Sequence, residues 1–424
     1  MRKIPRLRRA RGVVAAPPSK SYTARALLLA AVTEGSTTIV NALDADDSRY
    51  MLEALRTIGF RISGRLGTGV TIGERESMSA NEVEISIGNA GTAMRFLTGF
   101  LGFTPGRFLL TGDDRMQERP IGDLVDVLQG LGVEVEYAER DGYPPLRIRG
   151  KRMRGGEHVR ISAKTSSQFV SSLLMAATTL PSGLTVQIDS PVSQPYIDIT
   201  IDVLRSFGAV VARDGNIVNV NRGALHLDSY RVEGDFSSAS YWFAAAAATG
   251  GDVAVSGLRQ ESVQGDVGFL DVLRSMGCAV GWEGEVARVT GSPLLLGGRF
   301  DCNAMPDVAP TLAAIAPLAA GGVHIENIAN LRVKECDRIA ELTVELQKLG
   351  ATAAEGSDWL RVDTGWSDSD VVVDPHGDHR LAMSFAIAGL ARGGVTIADE
   401  QVVAKSYPRF WKTLDELVAT SERE

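Results

Sequence analysis

The sequence predicts an α/β protein of two similar domains, with helices packed against sheets. Two helix-glycine-strand patterns recur along the chain, both keep one period, and the first of them is present six times. That pattern is an Ala/Leu-rich helix, a glycine and a short alternating strand: ALLLAAVTEGSTTIV, MRFLTGFLGFTPGRFLL, SLLMAATTLPSGLTVQI, YWFAAAAATGGDVAV, TLAAIAPLAAGGVHI and AMSFAIAGLARGGVTI. Its glycines are Gly35, Gly106, Gly183, Gly251, Gly322 and Gly394, at spacings of 71, 77, 68, 71 and 72 residues. The second pattern starts with an amphipathic helix: MLEALRTIGFRI, LVDVLQGLGVEV, TIDVLRSFGAVV, FLDVLRSMGCAV and TVELQKLGATA. There Gly59, Gly132, Gly208, Gly277 and Gly350 stand 73, 76, 69 and 73 apart. A glycine directly after a helix suits a left-handed C-terminal cap. Each unit of about 70 residues therefore holds two helices, each followed by a strand, with room for further strands such as GYPPLRIRG and NIVNVNRG. Six units divide most simply three and three.

Composition agrees with a folded soluble chain. The 424 residues are 44% hydrophobic and 23% charged, with 45 glycines, 16 prolines and no long low-complexity run. A net charge of −8 argues against a general nucleic-acid or membrane-surface binder. Cys278, Cys302 and Cys336 form no CxxC pair and no disulfide framework, which points to a reducing cytosol. The basic start, MRKIPRLRRARG, is followed by too short an apolar stretch for an export signal, and FAAAAATGG and VAPTLAAIAPLAAGG are too short to span a membrane. A cytoplasmic location is expected.

What precedes each Ala-rich helix carries the chemistry. The leaders are PSKSYTAR, GNAGTAMR, KTSSQF, GDFSS, MPDVAP and GDHR. Lys20, Asn89, Ser166, Ser237, Asp307 and His379 lie 15, 17, 17, 14, 15 and 15 residues before the turn glycines, so each copy puts a polar group at the helix N-terminus. Ser, Asp and Asn there are explained by capping, the reading favoured for GDFSS and Thr165. Lys20, Arg25, Arg95, His379 and Arg380 are not, because a cation opposes the helix dipole at that end and calls for a compensating anion. Helix N-termini with lysine or arginine beside them, and glycines such as those of IGNAGTAMRF, make anion sites. Neither a GxxxxGK[ST] nor a GxGxxG motif is present, and HGDH is a weak metal signature. Elsewhere, DDRMQERPIG offers Arg115 and Arg119. NLRVKECDRIAEL offers Lys334, Glu335 and Arg338; on a helix Lys334 and Arg338 share one face, with Asp337 and Glu341 placed to neutralise them.

In order and spacing, PSKSYTAR, GNAGTAMR, RMQERPIG, SSQF, SQPYIDIT, PD, NLRVKECDR, DHRLAM and AKSYP resemble the motifs of the 5-enolpyruvylshikimate-3-phosphate synthase family, from about Pro18 to Pro408. The resemblance implies two domains, each of three βαβαββ units, an inside-out α/β barrel with the active site in the interdomain cleft. Residues 1–18 and 236–424 would form one domain and 19–235 the other. It implies transfer of the enolpyruvyl group of phosphoenolpyruvate to the 5-hydroxyl of shikimate 3-phosphate, by addition and elimination, with no metal or organic cofactor. The partners would be those two substrates, with no nucleic acid or membrane, in a monomer whose domains close on them.

Residue by residue, the resemblance assigns phosphoenolpyruvate to Lys20, Asn89, Gly91, Thr92, Arg119, Gln168, Arg338, Arg380 and Lys405. Shikimate 3-phosphate goes to Lys20, Ser21, Arg25, Ser166, Ser167, Gln168, Ser193, Tyr196, Asp307, Asn330 and Lys334. Asp307 would accept the hydroxyl proton, Glu335 or a lysine would exchange a proton with the methylene carbon, and Lys20 would lie between both substrates. Three positions depart from the family pattern: Ala24 for a common Asn, Phe96 for a common Pro, and Cys336 for a common Thr. Phe96 adjoins the phosphoenolpyruvate segment, so glyphosate sensitivity is not implied, and Cys336 reads as a buried, inert thiol. The related UDP-N-acetylglucosamine enolpyruvyl transferases typically carry a loop cysteine, which FTPGRFLLTGDDRMQERP lacks. A noncatalytic ligand-binding or RNA-end-binding relative would draw on the basic RLRRARG stretch, against which stand the acidic total charge and the presence of Lys20, Asp307 and Glu335.

Overall fold

The Ala-rich segments form six helices that are buried nearly all round, as their lack of a polar face requires. In the computed structural model, which describes residues 1–76, 81–190 and 192–422, these are α1 (Lys20–Ala30), α2 (Gly91–Gly102), α3 (Ser167–Ala176), α4 (Phe236–Thr249), α5 (Ala309–Ile315) and α6 (His379–Arg392). Every residue of α1 from Tyr22 to Ala30 is buried, and so is every residue of α4 from Phe236 to Ala247. Small side chains let these helices approach closely: a Cβ on Gly99 of α2 would fall 2.4 Å from Ser172 Oγ of α3. That hydroxyl instead donates to Arg95 O at 2.6 Å, tying the two helices together. The amphipathic segments also form helices, Asp46–Ile58, Gly122–Gly130, Pro195–Ser206, Phe269–Ser275 and Arg338–Lys348, which bury one stripe.

All five glycines of the second pattern adopt the left-handed conformation, with φ of 105°, 83°, 90°, 98° and 87° from Gly59 to Gly350. None of the six glycines of the first pattern is itself the helix cap. Gly250 (φ 61°), not Gly251, caps α4 and Gly393, not Gly394, caps α6. Gly106 opens its strand at φ 150°, Gly322 lies within the strand Ala319–Glu326, and Gly35 and Gly183 stand in the turns beyond α1 and α3.

Chain contacts divide the molecule into two units, Met1–Pro17 with Glu233–Glu424, and Pro18–Val232. Each has its own hydrophobic core. Within the second unit, Val83–Ser86 pairs parallel with Gly106–Thr111, which pairs antiparallel with Leu146–Gly150, itself antiparallel to Glu134–Tyr137. Five four-stranded sheets share this order. The chain exchanges strands to complete it: Ser229–Arg231 lies parallel to Thr37–Val40, and Arg11–Ala15 lies parallel to Asp252–Ser256. A sixth sheet has three strands, in which Arg2–Lys3 pairs with Val395–Ile397, itself parallel to Val371–Val373. Among the described residues no helix is long and apolar enough to cross a membrane.

Candidate active site

Helices α2, α3, α5 and α6 each join the two strands of a parallel pair, while α1 leads from Arg11–Ala15 to Thr37–Val40 and α4 from Ser229–Arg231 to Asp252–Ser256; the loops entering all six carry the polar leaders. Ser19, Ser166, Asp235 and Asp378 cap α1, α3, α4 and α6 through their side chains.

In the unit Pro18–Val232, Arg25 is the central cation. It is 1% exposed and donates to Thr200 Oγ1 (2.8 Å), Ser21 O (2.9 Å), Ser171 Oγ (3.2 Å) and Tyr196 O (2.9 Å), all neutral oxygens. Burial lowers its pKa to about 10. Its guanidinium also lies 5.0 Å from the centre of the Phe96 ring, so this departure from the family pattern supports Arg25 from below. Lys20, at the start of α1, pairs with Asp47 at 3.1 Å. At α2, Arg119 Nη1 donates to Asn89 Oδ1 at 3.1 Å, and Arg95 donates to Gly91 O and Pro120 O. Gln168 Nε2 donates to Thr92 Oγ1 at 3.1 Å, joining the starts of α3 and α2, with Ser167 at the first turn of α3. Ser193 sits at φ 50° just before the helix that carries Tyr196; holding a non-glycine residue there costs about 1 kcal/mol. Thus twelve of the residues singled out in the sequence lie in this unit, at the starts of α1, α2, α3 and Pro195–Ser206 or in the loop before Gly122–Gly130.

The seat of Arg119 requires a glycine. A Cβ on Gly91 would fall 2.5 Å from both terminal nitrogens of Arg119, so Gly91→Ala must displace the guanidinium. Alanine suits a helix better than glycine, so we expect unchanged or slightly higher thermal stability with the affinity for a small anion at this helix start lowered by about tenfold. Unaltered anion affinity would remove Arg119 from the site.

The other unit gathers Asp307, Glu335, Arg338, Arg380 and Lys405. Arg338, 1% exposed, donates Nε to Asp378 Oδ2 (2.7 Å), Nη1 to Asp307 Oδ1 (3.1 Å) and Nη2 to Glu335 Oε2 (2.8 Å). Arg380 Nη2 donates to Asp307 Oδ2 at 2.8 Å, so Asp307 is held between two guanidiniums. Lys405 Nζ is 3.9 Å from Glu335 Oε1. Burial opposes the charge of Arg338, but Asp378, Glu335 and Asp307 outweigh it and push its pKa up. Cys336 Sγ lies 3.8 Å from Asp378 Oδ2, and burial raises the thiol, as an inert cysteine requires. Asn330 lies in the 3-10 turn Ala329–Val333, and Lys334 follows it in extended conformation.

Two expectations are corrected. Lys334 and Arg338 do not share a helical face, because Asp337 caps the helix that begins at Arg338 and leaves Lys334 in the connector. Nor do Asp337 and Glu341 neutralise them: Asp337 pairs with Arg332 at 2.8 Å and Glu341 with His376 at 3.2 Å, while Arg338 takes Asp307, Glu335 and Asp378. The anions expected at the cationic helix starts are partly internal, Asp47 for Lys20 and Asp307 for Arg380. Sequence reasoning missed Asp47 and Asp378, whose places at or just before helix starts read as capping, and Thr200 and Ser171, whose short polar side chains carry no distinguishing signal. Among the described residues no group of three or more His, Cys, Asp or Glu side chains is arranged to hold a metal ion.

Buried arginines, with half-buried lysines and carboxylates beside them, at the starts of repeated helices suit an α/β protein that takes small polyanions. Residues 5–414 match the family described as EPSP synthase (3-phosphoshikimate 1-carboxyvinyltransferase). A 3-phosphoshikimate 1-carboxyvinyltransferase of Colwellia psychrerythraea is 43% identical over 95% of this chain and 96% of its own length. The EPSP synthase of Acinetobacter baumannii superposes with a TM-score of 0.81 at 27% identity, covering 98% of this chain and 97% of that one. The enolpyruvyl transferase NikO from Streptomyces tendae shares the fold, with a TM-score of 0.73 at 17% identity over 96% of this chain and 95% of that one. The chain belongs to the EPSP synthase family, and its fold is the two-domain inside-out α/β fold of that family.

Proposed function

We propose that this protein transfers the enolpyruvyl group of phosphoenolpyruvate to the 5-hydroxyl of shikimate 3-phosphate and releases phosphate, a step of aromatic amino acid biosynthesis. Membership of the family supports the reaction, and the seating of Asp307 between Arg338 and Arg380, with Glu335 adjacent, is the observation that carries the mechanism. Arg119, Arg338, Arg380 and Lys405 take the carboxylate and phosphate of phosphoenolpyruvate, with Asn89, Gly91, Thr92, Gln168 and Lys20. Ser166, Ser167 and Lys334 take the phosphate of shikimate 3-phosphate, Arg25 its carboxylate, and Tyr196 lies along the ring with Ser21, Ser193 and Asn330 around it.

The hydroxyl oxygen adds to the substituted carbon of the enol as Asp307 accepts the hydroxyl proton and the methylene carbon takes a proton from Glu335 or from the lysine beside it, Lys405. That gives a tetrahedral intermediate. It then loses phosphate, and the same group takes a proton back from the new methyl group, restoring the double bond. Arg338 and Arg380 spend their donors on Asp307 until substrate arrives. An incoming phosphate or carboxylate competes for those donors and leaves Asp307 a stronger base, so binding and activation are coupled through the same two guanidiniums.

The test is release of inorganic phosphate from phosphoenolpyruvate, with shikimate 3-phosphate and in parallel with UDP-N-acetylglucosamine. Release with shikimate 3-phosphate alone is expected. Release with the sugar nucleotide alone would move the protein to the sister activity, and none with either would leave a binding role.

The neutral acceptors of Arg25 supply a second test. Arg25→Lys cannot reach Thr200, Ser171 and Tyr196 O with one fork, so KM for shikimate 3-phosphate should rise by about two orders of magnitude. KM for phosphoenolpyruvate should move far less. An equal rise in both constants would mean that Arg25 serves the fold and not that substrate.

A further inference from the structure

Behind Asp307 and Arg380 stands a carboxyl that the reaction does not use. Asp266, in the 3-10 turn Gly265–Gly268, is 5% exposed. Ser237, in the first turn of α4, donates its hydroxyl to Asp266 Oδ2, and Oδ1 is buried with no hydrogen-bond partner among the described residues. A buried, ionised carboxylate with one oxygen lacking a donor is costly, and the neutral acid is the cheaper form.

The surroundings agree. The turn packs against α4, the 3-10 turn Pro306–Val308 that carries Asp307, and the helix Phe269–Ser275. Asp307 and Asp235 oppose ionisation of Asp266 and Arg380 favours it; the Cys302 thiol, which feels the Asp266 charge, is pushed up by burial, while Asp271 and Arg274 of the following helix pair with each other towards solvent. Burial first, then Asp307, pushes the Asp266 pKa up to about 7, and the Ser237 hydroxyl holds it from going higher.

We propose that Asp266 is a positioning residue for phosphoenolpyruvate binding: as the neutral acid it leaves the charge of Arg380 to the substrate, and as the carboxylate it competes for that charge. This rests on the function proposed above for Arg380. Thermodynamic linkage gives it a second face: if ionisation of Asp266 weakens substrate binding, bound phosphoenolpyruvate must hold the proton on Asp266 more tightly.

The experiment compares KM for phosphoenolpyruvate, from phosphate release, in wild type, Asp266→Asn and Ser237→Ala from about pH 6 to about pH 8.5, with the midpoint of the Asp266 carboxyl followed by NMR of isotope-labelled aspartate. Taking each variant relative to wild type at the same pH cancels the substrate's own ionisation. The expected result is a wild-type KM that rises by about fivefold relative to Asp266→Asn as the pH passes through about 7. In Ser237→Ala, which loses the hydrogen bond that favours the carboxylate, the rise should move to higher pH. A purely structural role for Asp266 would not produce that movement. Parallel profiles in wild type and Asp266→Asn would overturn the proposal. Should wild type release no phosphate, the function proposed above fails on its own; the Asp266 midpoint then decides this one, supported if phosphoenolpyruvate raises it and overturned if it does not.

Discussion

Arg338→Met is expected to abolish turnover and to lower unfolding free energy by about 3–5 kcal/mol at neutral pH. The guanidinium is the common partner of Asp378, Asp307 and Glu335, at 2.7, 3.1 and 2.8 Å, in a site where Arg338 and Asp378 are essentially inaccessible to solvent. Methionine fills much of the volume, so the loss measures charge and not a cavity. Three carboxylates then share a buried region with Arg380 and Lys405 as the nearby cations. Because protonating a carboxylate removes an uncompensated charge, the deficit should shrink as the pH falls from about 7.5 to about 5.5, the reverse of ordinary acid destabilisation. Urea unfolding of wild type and variant at both pH values checks this. Adding Asp378→Asn to Arg338→Met should restore part of the loss, by about 1–3 kcal/mol. If the variant unfolds at the wild-type urea concentration, the three ion pairs contribute nothing net and Arg338 serves the ligand alone.

The periodicity of glycines made the six α/β units legible, because a left-handed residue after each amphipathic helix is a local demand that a sequence must meet with glycine. The leaders were legible for a related reason: a lysine or arginine at a helix start has no local justification. What stayed hidden is long-range. Pairing of Ser229–Arg231 with Thr37–Val40, and of Arg11–Ala15 with Asp252–Ser256, joins segments far apart in sequence whose short strands look like any others. The charge partners were hidden by a competing explanation. Asp378 caps α6 through the Arg380 backbone N–H at 2.8 Å and also binds Arg338, and the first role suffices to account for an aspartate at that place. Likewise Asp235 caps α4 as expected from GDFSS, but Ser237 in the same motif turns to Asp266, a residue that no spacing connects to it. The misreading of Lys334 and Arg338 as one helical face came from continuing helical periodicity through Asp337, a strong stop and start signal in its own right.

Asp307→Asn separates catalysis from binding most sharply. The amide keeps the size, and its one oxygen can still accept from Arg338 Nη1 or Arg380 Nη2, which hold the two carboxylate oxygens at 3.1 and 2.8 Å; its NH2 cannot accept, so one of the two bonds is lost while the packing of the site is kept. It cannot accept the hydroxyl proton, and kcat should fall by about a thousandfold. Affinity should move the other way. On the function proposed above, the wild-type Asp307 carboxylate competes with phosphoenolpyruvate for the same guanidinium donors, and a neutral amide would compete less, so KM for phosphoenolpyruvate should stay level or drop by about threefold. Arg380→Met should show the converse split, with KM raised by at least about tenfold and the base still present. Steady-state kinetics of the two variants against both substrates therefore decide between a base held in waiting by its own substrate-binding arginines and a carboxylate that merely neutralises them. If Asp307→Asn raises KM and leaves kcat within a few fold of wild type, Asp307 is a structural counter-ion and the proton must leave by another group.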